Sequence, residues 1–411
     1  MPHPQISHVV IVGASVAGVK LAQCLRSEGF TGAVTLVDAE DDPLYDKPPL
    51  SKDYLSGVSS APEIALTTLD DLNAREISAR FGVSAVSLDP ATKTLALSDG
   101  SELSYDALVI ATGARARLTP WASLPGVHVL RTRADADELR KEIVAGRHLA
   151  VIGAGFVGAE AAATALKAGL RVTIIEPLGA PMGRAMNAEV GGIFADKHRH
   201  EGAEFRFGIS VERVEPIGER CRLLLTDGSA LDVDAVLLGI GAVANTEWLQ
   251  SSGVSIDNGI VCDATLAAVG VPDVYAIGDV ARFTNDRHPD SVRLEHWTSA
   301  ADQALLVAHN IAHPDDPRSY NPTEYVWSDQ YDWKIQIVGL TGSDHWTIVG
   351  DPAADRFAIV YGVDTQPVQG VVIVNWPRAL IDSRRSVASA VATGDLTERL
   401  RRLLVASKAA V

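Results

Sequence analysis

The hydrophobic pattern of the first 38 residues predicts a strand, a turn, a helix and a second strand. VVIVG (9–13) is a short apolar run of the kind that forms a buried parallel strand. Small and apolar residues then recur at helical spacing over 16–28, and AVTLVD (33–38) is a second strand that ends in Asp38. This is a βαβ unit. Its turn carries an incomplete G-x-G-x-x-G pattern: Gly13, Ser15 and Gly18.

The same pattern returns 140 residues later. LAVIGAGFVGAEAAATALKAGLRVTIIE (149–176) predicts a strand, a turn, a helix and a strand that ends in an acid, Glu176. Here the turn has all three glycines: Gly153, Gly155 and Gly158. Two such units predict two dinucleotide-binding halves and therefore two bound nucleotides.

The rest of the chain alternates strands with glycine turns and then changes character. Further strand-and-turn patterns occupy 105–115, 233–245 and 270–281, and a helical pattern covers Glu295 to Ala312. HPDDPRSYNP (313–322) is polar and rich in proline, which is typical of a boundary. Beyond it the sequence predicts antiparallel strands in VWSDQYDWKIQIVG, RFAIVYG and VQGVVIVN, and a closing helix from about Leu396 to Ala410.

The composition is that of a globular protein with several domains: 411 residues, 47% hydrophobic and 21% charged. No apolar run approaches the roughly 20 residues that span a bilayer. The N-terminus, MPHPQISHVV, lacks the basic stretch and apolar core of a secretory signal. We therefore expect a cytoplasmic protein that does not associate with membranes.

Cysteine and histidine positions predict neither a redox pair nor a metal site. Cys24, Cys221 and Cys262 lie far apart with no C-x-x-C motif, which indicates three reduced thiols. Cys24 falls in the first predicted helix and is expected in its core. His198 and His200 do not share a helix face, so we expect them to be exposed and not to bind metal.

The net charge of −16 argues against nucleic acid as a partner, since nucleic acids attract basic surfaces. Cations nevertheless cluster near the C-terminus. One interpretation is a solvated surface with an amphipathic helix, and the other is a docking patch for an acidic partner. The cluster comprises Arg378, Arg384, Arg385, Arg399, Arg401 and Arg402.

Each position of the second loop has a physical reason to be glycine. The first permits a tight turn, the second lets the backbone approach a pyrophosphate, and the third lets helix and strand pack closely. Glu176 would accept ribose hydroxyls and repel a 2′-phosphate, which favours NADH over NADPH. Arg184, in a predicted loop nearby, would soften that preference.

The first loop tolerates its serine. Ser15 adds only a small side chain, and its hydroxyl can donate to phosphate. The alternative interpretation of G-x-S-x-A as a hydrolase nucleophile elbow leaves Asp38 without a role, and we disfavour it.

Three longer stretches are more specific than the glycine loops: DKPPLSKDYL (46–55), RLEHWTSAADQA (293–304) and VWSDQYDWKIQIVGL (326–340). With the two βαβ units they resemble, over essentially the full length, the FAD-dependent NADH:ferredoxin reductases of bacterial cytochrome P450 and aromatic-ring dioxygenase systems. The resemblance implies an α/β fold of the glutathione-reductase-like type, with two Rossmann-like domains and a C-terminal α+β domain. It implies an FAD-binding domain at 1–113 and 246–320, an NADH-binding domain at 114–245, and the C-terminal domain at 321–411.

The resemblance also implies which residues bind each cofactor. Lys52 would lie near the flavin ring and pair with Glu160, and these two are the expected catalytic residues. Trp297 would sit by the flavin ring, and Trp327 near it on the side where the partner docks. The implied FAD residues are Gly13, Ser15, Ala17, Gly18, Asp38, Lys47, Pro48, Lys52, Val86, Ala111, Thr112, Gly113, Arg131, Gly278, Asp279, Trp297 and Trp327. The implied NADH residues are Gly153, Gly155, Phe156, Val157, Gly158, Glu160, Glu176, Arg184 and Gly241.

The absence of cysteine near the expected flavin site limits the class of electron acceptor. Related flavoproteins carry a cysteine pair or a single cysteine close to the flavin, whereas residues 39–55 contain no cysteine. Electrons that reach FAD from NADH must then leave the flavin directly. This favours a one-electron acceptor protein, a [2Fe–2S] ferredoxin that serves a P450 or a ring-hydroxylating dioxygenase.

Two other functions share the same motifs. One is a rubredoxin reductase, and the other is an NADH-sensing flavoprotein without a dedicated acceptor. For the ferredoxin reductase we expect docking on the patch that includes Arg378, Arg384 and Arg385, and a monomer or weak homodimer.

Overall fold

The structure is a computed structural model that describes residues 6–408. The α-helices within this range are α1 (Val16–Ser27), α2 (Leu69–Ala74), α3 (Arg133–Arg140), α4 (Phe156–Lys167), α5 (Ala188–His200), α6 (Trp297–Ala312), α7 (Pro377–Ala388) and α8 (Thr393–Lys408). The strands are β1 (His8–Val12), β2 (Ala33–Val37), β3 (Ile77–Arg80), β4 (Ala85–Asp89), β5 (Thr94–Leu97), β6 (Glu102–Ser104), β7 (Ala107–Ile110), β8 (Ala114–Ala116), β9 (Val127–His128), β10 (His148–Ile152), β11 (Arg171–Glu176), β12 (Glu204–Phe207), β13 (Val211–Ile217), β14 (Arg220–Leu225), β15 (Ala230–Val233), β16 (Ala235–Leu238), β17 (Ala242–Ala244), β18 (Ile260–Val261), β19 (Val274–Ala276), β20 (Ala281–Arg282), β21 (Tyr325–Gln330), β22 (Trp333–Gly339), β23 (Trp346–Asp351), β24 (Arg356–Tyr361) and β25 (Gly370–Val374).

The described chain divides into two compact units. The first combines the chain up to Asp46 with residues 61–115 and 242–322, and the second combines 47–60, 116–241 and the chain from Thr323 onward. Residues 47–60 pack with the second unit, although the sequence prediction placed them in the FAD-binding domain. The predicted domain limits therefore stay a prediction.

The first unit is built on a parallel sheet of order β3-β2-β1-β7-β19. Strand β1 is apolar because both of its faces are covered, and its residues from Val9 to Val12 are buried. Helix α1 connects β1 to β2 and buries Leu21 and Leu25. An antiparallel sheet of β4, β5 and β6 completes this half.

The second unit repeats this plan. Its parallel sheet has the order β12-β11-β10-β16-β9, with α4 between β10 and β11. The three antiparallel strands β13, β14 and β15 follow β12. The βαβ units read from the sequence are therefore both present.

The last part of the second unit is an antiparallel sheet of order β21-β22-β25-β24-β23. Strand β25 is apolar at every position because the sheet is covered on both faces. One face packs with Met182, Met186 and Phe194, and the other packs with residues of α7 and α8 such as Leu396. A parallel-sheet pattern thus occurs here in an antiparallel strand.

The predicted fold class is confirmed: an α/β chain with two Rossmann-like halves and a C-terminal α+β region. In the C-terminal region the sequence prediction omitted β23 and α7. The buried face of helix α7 includes Ser383 and Ser386 beside Ala379 and Val387, so polar residues stand on the side that packs against the sheet. Helix α8 begins three residues before the predicted start at Leu396, and the predicted end at Ala410 lies outside the described residues.

The expected core position of Cys24 is confirmed. Cys24 is buried in α1, and the three cysteines are free. Among the described helices, none combines the length and the apolarity that crossing a membrane would need.

The expectation that His198 is exposed is wrong, whereas His200 is exposed as expected. His198 lies in the last turn of α5, and it is 1% exposed. Its Nε2 lies 2.9 Å from Oε1 of Gln330, and the Tyr331 hydroxyl lies 2.8 Å from its Nδ1. Two residues along a helix point to different faces, so one histidine of KHRHE enters the core while the other stays in solvent.

The burial of His198 should make the stability of the second unit depend on pH. Burial lowers the pKa of His198 to about 4, so the unfolded chain binds a proton between about pH 6.5 and 4 that the folded chain does not. Stability from this group is therefore present above pH 6.5 and lost on acidification, by about 2 kcal/mol between pH 7 and pH 5. Urea midpoints at the two pH values should differ less in His198→Gln than in the wild type. His200→Gln is the matched control and should keep the wild-type difference. An equal pH dependence in His198→Gln would contradict the assignment.

Candidate functional site

The loop after β1 can hold only glycine at its first and last positions. Gly13 has a φ of +111°, and a Cβ there would lie 2.2 Å from the carbonyl oxygen of Ala111. A Cβ on Gly18 would lie 1.8 Å from the carbonyl oxygen of Gly13. The loop, the turn at Ala111 and helix α1 are thus in direct backbone contact.

The loop after β10 has the same construction. Gly153 has a φ of +96°, and its Cβ would lie 2.4 Å from the carbonyl oxygen of Gly239. A Cβ on Gly158 would lie 2.1 Å from the carbonyl oxygen of Gly153. The GIG turn at 239–241 therefore contacts this loop as the ATG turn at 111–113 contacts the first loop.

The middle position differs from the other two. A Cβ on Gly155 would meet no protein atom within 4 Å, and its φ of −71° suits any residue. Ser15 occupies the matching place at the start of α1 in extended conformation. A side chain here meets no obstacle from the protein, so the serine does not damage the loop.

These loops fit the pyrophosphate of a dinucleotide. Each leads into the first turn of a helix, where the backbone N–H groups and the helix dipole favour phosphate, and the second loop leaves open space at Gly155. The close backbone contacts place the first N–H groups of α1 and α4 at the carboxyl end of each parallel sheet, which is where such ligands bind.

The two acids at the ends of the second strands brace their loops. Asp38 accepts a hydrogen bond from the Ala14 N–H at 2.6 Å and another from the Glu40 N–H at 2.9 Å. Glu176 accepts from the Ala154 N–H at 2.7 Å and from the Leu178 N–H at 2.9 Å. Carboxylate oxygens have further lone pairs, so this bracing is compatible with ribose binding.

The other residues expected to bind FAD in the first unit lie at strand ends or helix starts. Thr112 donates to the Asn245 carbonyl at 2.9 Å, and the Asn245 amide donates to the Thr112 carbonyl at 2.8 Å. The Gly278 N–H donates to the buried Gln303 amide at 2.6 Å. A Cβ on Gly278 would lie 3.2 Å from Cβ of Ala17, so the turn at Gly278 and Asp279 lies against α1.

Three further residues expected to bind FAD lie in the same unit. Trp297 is the first residue of α6, it is 37% exposed, and its indole N–H donates to Asp46 at 2.8 Å. The carbonyl of Asp279, next to Gly278, accepts from Arg293 at 2.9 Å. Val86 is an exposed residue of β4 at an irregularity of the strand.

In the second unit, Lys47 and Pro48 begin the short 3-10 helix of the PPLSK stretch. Arg131 is half-buried just before α3. Trp327 lies on β21 and stacks on Tyr325, with ring centroids 6.3 Å apart.

The residues expected to bind NADH gather around the second loop. Phe156 and Val157 form the start of α4, and Val157 is 43% exposed. Nη1 of Arg184 lies 3.3 Å from the place that a Cβ on Gly241 would take. The geometry thus brings Arg184 to the GIG turn.

The two expected catalytic residues form a salt bridge within the second unit. Nζ of Lys52 lies 2.9 Å from Oε2 of Glu160, and their side chains are 17% and 7% exposed. The hydroxyl of Ser51 donates to the same carboxylate at 2.5 Å, and that of Ser328 donates to its other oxygen at 2.7 Å. The carboxylate of Glu160 therefore has three partners, which offset its desolvation.

Sequence reasoning missed Ser51 and Ser328. Both stand inside the stretches that carried the resemblance, PPLSK and VWSDQ, so the signal was present although no role was attached to it. The carbonyl of Ser51 also accepts from Thr164 of α4 at 2.8 Å, which anchors the stretch on that helix.

A chain of hydrogen bonds leads from this carboxylate into the C-terminal sheet. The Gln330 amide donates to the Ser328 hydroxyl at 3.0 Å, and Gln330 in turn contacts His198. The buried polar groups from Glu160 to His198 are thus paired with one another, which holds α4, β21 and α5 in one arrangement.

The pyridine nucleotide-disulphide oxidoreductase family matches residues 7–304, and a reductase C-terminal domain matches residues 325–403. Rhodocoxin reductase of Rhodococcus erythropolis is 37% identical over 387 residues, covering 93% of this chain and 89% of that protein. A ferredoxin–NAD(P)(+) reductase of a Sphingomonas species is 35% identical over 387 residues, covering 92% of each. The crystal structure of the covalent putidaredoxin reductase–putidaredoxin complex matches with a TM-score of 0.90 and 32% identity, over 98% of this chain and 99% of that one.

The chain belongs to the pyridine nucleotide-disulphide oxidoreductase family. Its predicted resemblance to ferredoxin reductases is confirmed, and it is an oxidoreductase whose cofactors are FAD and a nicotinamide dinucleotide. The loops and the two acids fit those cofactors, as the contacts above show.

Replacing Glu176 should weaken the discrimination between the two nicotinamide cofactors. Glu176→Ala removes the charge that would repel a 2′-phosphate, so the ratio of kcat/KM for NADH to that for NADPH should fall at least about fivefold, the effect of roughly 1 kcal/mol. Glu189→Ala, which changes an exposed acid of α5, is the control and should leave the ratio unchanged. An unchanged ratio in Glu176→Ala would remove Glu176 from the NADH site.

The Lys52–Glu160 pair should respond asymmetrically to substitution. Lys52→Met leaves a buried carboxylate without its cation and should lower the unfolding free energy by about 3 kcal/mol, whereas Lys52→Met/Glu160→Gln should recover about half of that loss. Urea unfolding at saturating FAD measures both. Lys141→Met, which breaks an exposed pair with Glu138, is the control and should change little. A double variant no more stable than Lys52→Met would show that the pair is not energetically coupled.

Proposed function

We propose that this chain is an NADH-dependent ferredoxin reductase of a cytochrome P450 or ring-hydroxylating dioxygenase system. The proposal rests on its relatives, which include ferredoxin and putidaredoxin reductases, and on the chemistry of its own thiols. When bound, FAD accepts a hydride from NADH and releases the electrons singly. The residues of this chain bind and orient the two cofactors.

The state of the three cysteines indicates which class of electron acceptor the chain uses. Cys24, Cys221 and Cys262 are buried, and burial raises the pKa of each thiol, that of Cys262 to about 12. Thiolates are the reactive form of cysteine, so none of the three suits a relay of electrons to a disulfide substrate. A chain of this family without a thiol relay must pass electrons directly from the flavin to its acceptor, which favours an iron–sulfur protein.

We assign the binding roles as the sequence predicted them. The first loop and Asp38 would hold FAD in a domain of residues 1–113 and 246–320. The second loop and Glu176 would hold NADH in a domain of residues 114–245. Lys52 would place its ammonium near the flavin, where a cation stabilises negative charge on the reduced ring, and Glu160 with Ser51 and Ser328 would fix its position.

An exposed face of α7 is the proposed docking surface. Arg378, Ile381, Arg384 and Arg385 are exposed on this helix. The guanidinium of Arg384 lies 4.9 Å from the centre of the Tyr325 ring, which stacks on Trp327. Most of the chain is acidic, so a basic face next to Trp327 would orient an acidic ferredoxin by attraction here and repulsion elsewhere.

We further propose a monomer or weak homodimer in the cytoplasm. Three free cysteines suit a reducing compartment.

The proposal is tested by NADH-driven reduction of P450-type and dioxygenase-type ferredoxins side by side, with a rubredoxin and ferricyanide as further acceptors. The purified chain should carry FAD and turn over rapidly with at least one ferredoxin. Arg384→Glu/Arg385→Glu should raise the KM for that ferredoxin about tenfold or more, the effect of roughly 1.4 kcal/mol, and leave ferricyanide reduction unchanged.

Arg399→Glu/Arg401→Glu, a matched reversal of two exposed arginines on α8, should leave both activities near wild type. Equal effects on ferredoxin and ferricyanide would refute the docking surface. Slow turnover with every protein acceptor would refute the reductase, and it is the result that an NADH-sensing flavoprotein predicts.

A further inference from the structure

Three side chains with metal-binding atoms meet in the first unit. Glu28 is the residue that follows the last turn of α1, His309 lies in the last turn of α6, and His313 follows that helix. None of the three has a role in the cofactor sites. They were not expected to meet, because Glu28 is 281 residues from His309 in the chain.

The distances fit one shared cation. Oε2 of Glu28 lies 3.3 Å from Nδ1 of His309 and 3.0 Å from Nε2 of His313, and the three ligand atoms lie within 4.8 Å of one another. Around tetrahedral zinc, with bonds of about 2.0–2.1 Å, neighbouring ligand atoms stand roughly 3.3 Å apart. An ion can enter this cluster with small side-chain movements.

A second ring of contacts orients His309 for this role. Its other nitrogen, Nε2, lies 3.1 Å from the carbonyl oxygen of Asp316 and 3.4 Å from the carboxylate of the same residue. An N–H at Nε2 that donates to Asp316 leaves a lone pair at Nδ1, facing Glu28. Zinc-binding histidines are commonly held in this way, with the second nitrogen on a carbonyl or carboxylate.

With the proton of His309 on Nε2, its Nδ1 and the Glu28 carboxylate face each other as two acceptors. A lone pair of Nδ1 and a carboxylate oxygen repel at 3.3 Å unless a proton or a metal ion lies between them. The ends of α1 and α6 add to this requirement, because both helices present their C-termini, the negative ends of their dipoles, at the cluster.

The three side chains are accessible enough for a metal ion to reach them from solution. The side chain of His309 is 7% exposed, whereas those of Glu28 and His313 are 34% and 45% exposed. One ligand is thus fixed in the core and two are accessible, and solvent can supply the fourth ligand.

We propose that Glu28, His309 and His313 bind one zinc ion or a zinc-like divalent cation that joins the ends of α1 and α6. Two imidazoles and one carboxylate select zinc over magnesium or calcium, which prefer oxygen ligands. The site is structural: it fastens the helix that begins at the first glycine loop to the helix that begins at Trp297. The sequence HNIAH is consistent with it, since it places one histidine in the last turn of α6 and the other just after that helix ends.

Calorimetric titration of ZnCl₂ into the FAD-loaded, tag-free full chain, stripped beforehand with a chelator, tests the proposal. One Zn²⁺ should bind per chain, and MgCl₂ should give no comparable isotherm. His313→Gln and Glu28→Gln should each weaken this binding at least about tenfold, since even outer-shell changes cost about 10–100-fold. His200→Gln, which changes an exposed histidine of α5, should bind zinc as the wild type does.

Thermal unfolding gives a second measurement that does not depend on activity. Zinc should raise the melting temperature of the wild type and of His200→Gln, but not of His313→Gln. Absence of zinc binding in the wild type would overturn the proposal, and the three side chains would then be linked by hydrogen bonds alone. Equal zinc binding in the wild type, His313→Gln and Glu28→Gln would place the ion elsewhere and overturn it too.

Discussion

The close backbone contact at each glycine loop is the constraint on which both nucleotide sites depend. Gly13 and Gly153 touch the carbonyl of the turn that follows the neighbouring strand, at distances that exclude any side chain. The contact sets the end of the first strand, the start of the helix and the adjacent turn in one place. A carboxylate then fastens each loop through the N–H that follows its first glycine. The site is thus formed by the packing of the sheet itself.

A different interaction organises the second unit away from its loop. The carboxylate of Glu160 is buried on α4, and burial of a charge is unfavourable unless it is paired. Lys52, Ser51 and Ser328 supply the partners from two other parts of the chain. The network that stabilises the charge therefore also determines where the PPLSK stretch and the C-terminal sheet lie. Lys52, which is expected to act at the flavin, therefore also helps to hold its unit in the folded arrangement.

The cysteines and histidines show that the surroundings of a side chain decide whether it is reactive. Burial raises the pKa of the thiols enclosed in the core and so keeps them protonated. A buried histidine can be a neutral core residue or a candidate metal ligand. His198 is enclosed between Gln330 and Tyr331 and stays neutral, whereas His309 contacts a carboxylate beside two helix ends. The electrostatics of the surroundings, more than the residue type, distinguishes a core histidine from a candidate ligand.

The sequence by itself determined the two βαβ units, the identities of the loop glycines and the acids at the strand ends, because these follow from local spacing and from the steric needs of tight turns. Tertiary structure decided the rest. It placed Ser51 and Ser328 on Glu160, enclosed His198, and brought Glu28 to His309. Those contacts join residues that lie 109 to 281 positions apart, so no periodicity can encode them. They exist because sheets and helices pack in one way, and the cost of burying polar groups selects the partners.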